Sequence, residues 1–181
     1  SSTAILIFMF VEGLIKNRWK FWKKLKWLWI LIPLIICLVT IAVYFIYDRE
    51  GHMWSQLNSA MHGRLTLGQN AIREYGITLF GQPVSWRGFF IYATEVADYN
   101  YVDCSYIQLL IQFGALFLAA VIAIYTLGMY KAVSKGDYHL VWIYVLILLF
   151  SVMEPRLMNM TFNVFPMIVF MSLPTALQQE D

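Results

Sequence analysis

The sequence predicts an all-α fold, a polytopic transmembrane helical bundle with one large external loop carrying amphipathic helices. Three observations lead there. Of its 181 residues, 60% are hydrophobic and only 13% are charged, whereas soluble domains run nearer half apolar and a quarter charged. Several apolar runs approach the roughly 20 helical residues, at about 1.5 Å each, that cross a 30 Å hydrocarbon core. Most of the remaining polar residues gather in one interval, residues 48–104, the only long part of the chain that lipid could not accommodate. The expected layout is a single transmembrane domain. Its spans lie at about residues 3–15, 28–47, 105–130, 139–153 and 160–176, with a cytoplasmic loop at 16–27 and an external loop at 48–104. A net charge of +2 is too small to argue for an acidic partner; its distribution is what informs.

The chain begins SSTAILIFMFVEGL, without Met or a basic leading region, which makes a poor signal peptide. It reads as the tail of a transmembrane helix, so the chain is expected to be a fragment of a longer protein. Next comes KNRWKFWKKLKW, in which lysines and an arginine alternate with Trp19, Phe21, Trp22 and Trp27. Basic residues among aromatics could mark a nucleic-acid surface. Between two apolar spans they mark a cytoplasmic loop, with cations retained inside and Trp rings at headgroup level; no nucleic-acid partner is expected.

Residues 28–47 form the clearest span, twenty residues without a charge, with Pro33 near the start, where a missing donor costs least. With the basic loop inside, this helix exits outward and Asp48 opens the external region. Residues 105–130 return, and Lys131 and Lys135 beyond them again mark the inside. Ser105, Gln108 and Gln112 share one helix face. Residues 139–153 climb outward until Glu154-Pro155 stops them, because the residue before proline disfavours helix. The last span descends to the polar tail QQED, and Arg156, Asn159 and Asn163 repeat the spacing i, i+3, i+7. Cys37 and Cys104 read as two unpaired thiols.

Inside the external loop, Trp54, Leu57, Met61, Leu65, Ile72 and Tyr75 recur at steps of three, four and seven. That pattern predicts one amphipathic helix or two short ones, with Gly63 or Gly68 as the break. Arg64 falls on the flank of the apolar stripe, and His62, Thr66, Gln69 and Arg73 fall on the polar face. Two readings of Arg64 stand. Its planar, permanently charged fork could grip a phosphate or pyrophosphate at headgroup depth, or it could simply snorkel to the headgroups. His52 and His62 lack the partners of a metal site. Phosphate-binding glycine loops, nucleophile elbows and zinc-protease helices are all missing from the sequence. Phe80-Gly81-Gln82-Pro83 reads as a turn.

Three stretches together, GRLTLGQNAIREYGITLFGQP, VDCSYIQLLIQFGALFLAAVI and MEPRLMNMTFNVFPM, resemble the C-terminal half of Wzy-type polysaccharide polymerases, of the O-antigen polymerase and ligase superfamily. The matching positions are Arg64, Phe80-Gly81, Asp103 with Ser105-Tyr106, Phe113-Gly114, Glu154, Asn159 and Asn163. Cys104 stands where the family usually has Asn. Asp103 stands where the ligases carry His, which favours polymerase over ligase. The resemblance covers most of the chain from about Leu28 onward.

The resemblance implies a glycosyltransferase of the bacterial cytoplasmic (inner) membrane that joins oligosaccharide repeat units carried on undecaprenyl pyrophosphate, outside the membrane. Neither a metal nor another cofactor is implied. The implied partners are the lipid-linked oligosaccharide, membrane lipid and a chain-length regulator protein. Arginines suit stabilisation of a leaving pyrophosphate, and a carboxylate suits the base at the acceptor hydroxyl. The expected catalytic residues are Arg64 and Asp103, with Glu154 as the competing carboxylate. The expected substrate contacts are Arg73, Arg87, Arg156, Asn159, Asn163, Ser105 and Tyr106. Alternatives are an O-antigen-ligase-like transferase and a non-catalytic polysaccharide transporter or flippase portion. A transporter would place charges at mid-span, whereas here they gather at the outer surface.

Overall fold

A computed structural model describes residues 26–86, 100–155, 157 and 158. Among these residues the secondary structure is entirely helical. The six helices are α1 (Lys26–Ile46), α2 (His52–Ala60), α3 (Arg64–Tyr75), α4 (Ser105–Gln112), α5 (Gly114–Lys135) and α6 (Tyr138–Phe150). The expected first and last spans, 3–15 and 160–176, and nearly all of the basic loop lie outside the described residues.

Among the described residues two helices, α1 over Trp27–Ile46 and α5 over Gly114–Lys135, are long and apolar enough to cross a membrane; α6 is apolar but shorter. A core helix of a soluble protein would be mostly buried, yet only 28% of the apolar window of α1 is buried. Its inward face carries Trp29, Cys37, Thr40 and Tyr44, and its outward face carries Leu31, Leu34, Ile35, Leu38 and Phe45. A helix on a water-facing surface would put polar residues there. The hydroxyls of these apolar helices bond to their own backbone: Thr40 Oγ1 donates to Ile36 O at 2.7 Å and Thr126 Oγ1 to Ile122 O at 2.8 Å. Where water is scarce, such groups must be satisfied internally.

α1 packs chiefly along α5, with α6 and α4 completing the core around Tyr106, Tyr125, Met129, Tyr144 and Leu148. Tyr125 and Tyr144 meet edge to face at 5.9 Å, and Trp29 meets Trp142 at 5.3 Å. Asp137 caps α6 by accepting from the Leu140 N–H at 3.1 Å. Pro33 lies inside α1 rather than at its start, because the helix begins at Lys26. Proline there has no N–H for the carbonyl one turn back.

The return span also differs from its expected form. It breaks at Phe113-Gly114 into α4 and α5, and α5 runs on to Lys135. The cause is a second segment lodged against the break. The backbone of Thr78 and Leu79 accepts from the Ala115 and Leu116 N–H groups at 3.0 and 3.2 Å, and the Gln82 N–H donates to Gln112 O at 3.1 Å. Gly81 and Gly114 sit at φ +86 and +89, and a Cβ on either would run into the other segment's backbone. The opening donors of α5, which an apolar run cannot cap by itself, are thereby satisfied by a turn from the polar interval.

Candidate functional site

The polar interval contains two short helices, α2 and α3, separated at 61–63. Its amphipathic pattern therefore splits at Gly63, one of the two expected positions. The other, Gly68, serves packing instead: it lies against the ring of Tyr44, into which an added Cβ would project. This close approach seats α3 on the C-terminal end of α1.

Seating α3 this way changes the expected polar face. Gln69 is buried, its Nε2 donating to Tyr47 O at 2.8 Å and its Oε1 accepting from Arg49 Nε at 2.9 Å. Thr66 Oγ1 pairs with the Tyr47 hydroxyl at 3.0 Å and accepts from Asn58 Nδ2 at 3.0 Å, while the Thr66 N–H donates to Asn58 Oδ1 at 3.2 Å. Arg49 also donates to Asn70 Oδ1. Gln69, buried, and Thr66, half-buried, thus tie α3 to α1 and α2. Helical periodicity could not show this, because the partner surface is the polar end of α1.

Arg64, on the flank of the stripe, points at the start of α4. Its Nε donates to Asp103 Oδ2 at 2.9 Å, with the two side chains 25% and 21% exposed. The bond uses Nε; the two terminal guanidinium nitrogens make no bond to a described residue. A planar donor edge is thereby left for an anion. Asp103 lies just ahead of α4, whose N-terminal dipole favours a negative charge there. Its neighbours hold it in place. Val102 and Cys104 are each 1% exposed, and the Ser105 N–H donates to Ser151 O at 2.9 Å. Burial pushes the Cys104 thiol up to about 11, against smaller lowering contributions from the N–H groups of Ile107 and Tyr106.

Ser105 and Tyr106, expected to touch substrate, are committed to the fold. Ser105 Oγ donates to the backbone oxygen of Glu154 at 2.6 Å and accepts from the Leu157 N–H at 3.2 Å. The fully buried Tyr106 donates its hydroxyl to Leu148 O at 2.8 Å. These bonds clamp the end of α6 and the turn after it onto the start of α4. Arg64, Asp103, Ser105 and the Glu154 backbone therefore share one end of the helix assembly. Arg73 does not join them. Nine residues along α3 place it roughly 13 Å further down the axis and on the opposite side, where it is exposed. Arg87, Arg156, Asn159 and Asn163 lie outside the described residues.

Toward the opposite ends of α3 and α4, at Tyr75 and Gln112, stands a row of half-buried aromatics. Trp86 meets Tyr75 and Tyr101 edge to face at 6.1 and 6.2 Å, and its Nε1 donates to Gln112 Oε1 at 3.0 Å. Sequence reading missed Trp86, Asn58 and Arg49 as organising residues; the partners of Trp86 and Arg49 lie 26 and 20 or more positions away, and that of Asn58 lies across the break between two helices. Among the described residues no cluster of His, Cys, Asp and Glu could hold a metal ion. Compared with protein-family models, with curated proteins and with solved structures, the chain matches none.

Proposed function

We propose that this chain is the C-terminal portion of a multi-pass glycosyltransferase of the bacterial cytoplasmic membrane. In this reading it resembles Wzy-type polymerases and joins undecaprenyl-pyrophosphate-linked repeat units on the outer side. The observation that carries it is the Arg64–Asp103 pair, an arginine and a carboxylate 2.9 Å apart at the end of helices whose exposed faces are apolar.

In the proposed reaction, an acceptor-sugar hydroxyl oxygen attacks the anomeric carbon of the lipid-linked chain. The bond from that carbon to the pyrophosphate oxygen breaks, and the electron pair leaves with the pyrophosphate. The guanidinium of Arg64 stabilises the charge gathering on the leaving group, which a preorganised cation does at no reorganisation cost. Asp103 takes the hydroxyl proton, with Glu154 as the competing base. The mutual ion pair holds both groups in register before substrate arrives. Arg49, anchored through Gln69 and Asn70, adds positive charge on the other side of α3.

A deletion of the full-length gene tests the reaction class. A surface-glycan ladder collapsing to single repeat units supports a polymerase. Polymer of normal length that is no longer linked to its acceptor supports a ligase and contradicts this reading.

A further inference from the structure

The turn at residues 77–81 belongs by sequence to the polar interval, yet its outermost side chains are Leu79 and Phe80, 61% and 84% exposed. These exposed apolar groups rest on tightly tied backbone. The Thr78 and Leu79 carbonyls are taken by α5, the Gln82 N–H by Gln112 O, and Gln82 Nε2 donates to Tyr75 O at 2.7 Å. Gly81 and Gly114 lock the two segments together at a distance no other residue pair tolerates. The Thr78 hydroxyl is buried without a partner among the described residues, so it adds nothing polar to the outer surface.

We propose that this turn enters the acyl-chain layer of the bilayer, with Phe80 and Leu79 packed among lipid chains. Two observations select lipid as the occupant. First, the turn adjoins Phe113 and Leu116 through backbone contacts, and Phe113, Leu116 and Phe117 are themselves 43%, 54% and 38% exposed, with the rings of Phe113 and Phe117 at 4.9 Å. Leu116 and Phe117 lie in the opening turns of α5, one of the two helices among the described residues long and apolar enough to cross a membrane. Second, protein contacts lower the cost of carrying irregular backbone to membrane depth, and α5 takes up the Thr78 and Leu79 carbonyls of this turn. The turn is then a re-entrant anchor that holds α3, and with it Arg64, against the membrane surface. The inference rests on the membrane-spanning part of the proposal above, not on its chemistry.

The test places an environment-sensitive fluorophore on single introduced cysteines in the full chain. The positions are Phe80→Cys in the turn, Leu127→Cys on the exposed face of α5 and Ser59→Cys on α2. Native Cys37 and Cys104 are 4% and 1% exposed, and the unsubstituted chain gives the labelling background. The protein is reconstituted in phosphatidylethanolamine and phosphatidylglycerol vesicles, with and without acyl-chain nitroxide lipids. The expected result is quenching of positions 80 and 127 by the nitroxide lipid, and of position 59 by aqueous iodide alone. Iodide quenching at 80 with lipid quenching at 127 overturns the inference and leaves the membrane reading standing. Iodide quenching at both overturns both. Shielding of 80 from both quenchers overturns it in favour of a protein contact such as a second copy.

Discussion

Gly81 and Gly114 meet backbone to backbone, each at positive φ, with Gly81 against the carbonyl end of α4 and Gly114 against Leu79. A helix break and a loop turn, 33 positions apart, are one structural unit. Replacing either by Ala places an L-residue in left-handed backbone, at about 1–2 kcal/mol, and adds overlap with main chain that cannot rotate away. Gly136, at φ +72 with open space around it, carries the backbone cost without the overlap. Thermal unfolding in detergent is therefore expected to show Gly81→Ala and Gly114→Ala well below Gly136→Ala. Equal melting for all three contradicts the paired contact.

Gly68 is small for packing. A methyl there meets the Tyr44 ring, so Gly68→Ala is expected to cost about 1–3 kcal/mol by overpacking. Shortening the ring side chain in the double variant with Tyr44→Leu should recover part of that loss. Strict additivity of the two changes would show that α3 does not sit on Tyr44.

Cys104 tests the burial at the start of α4. Its thiol is raised to about 11 by desolvation, so roughly one part in a thousand is thiolate at pH 8, and the thiolate is the reactive form. Labelling by a hydrophilic maleimide is expected to be slow in the folded protein and fast after denaturation, with the folded-state rate still climbing above pH 9. Rapid labelling at pH 8 in the folded state contradicts the buried placement.

The Arg64–Asp103 pair is part-exposed, so its contribution to stability is small, about 0.5–1 kcal/mol as for other solvent-accessible pairs. Arg64→Ala and Asp103→Asn should therefore leave expression and melting nearly unchanged while removing function. Arg64→Lys keeps the charge but loses the planar fork, and is expected to restore little activity. Full activity in Arg64→Lys would mean that only a point charge is needed there.

Much of the helical layout was legible because apolar runs and their charged flanks are local. The expected span 28–47 is α1 within two residues, and the split of the amphipathic stretch falls at Gly63. What escaped depends on contacts far apart in sequence. The run through Phe113-Gly114 is apolar on both sides, so nothing local marks it as broken; the break follows from a turn arriving from residues 78–82. Thr66 and Gln69 count as polar on any helical wheel, yet the surface they meet is the polar end of α1, with the Tyr47 carbonyl and hydroxyl. Ser105 and Tyr106 are motif residues of the resemblance whose hydroxyls are consumed in holding the turn after α6 and the last turn of α6 itself. Arg64 and Asp103 were each singled out separately; that they touch is a tertiary fact.

The most direct measurement is the glycan chain-length profile of cells carrying Arg64→Ala or Asp103→Asn in the full-length protein, at expression equal to wild type. The account predicts that both variants reduce the polymer to single repeat units while the protein stays folded in the membrane. Wild-type polymer length in both would contradict it.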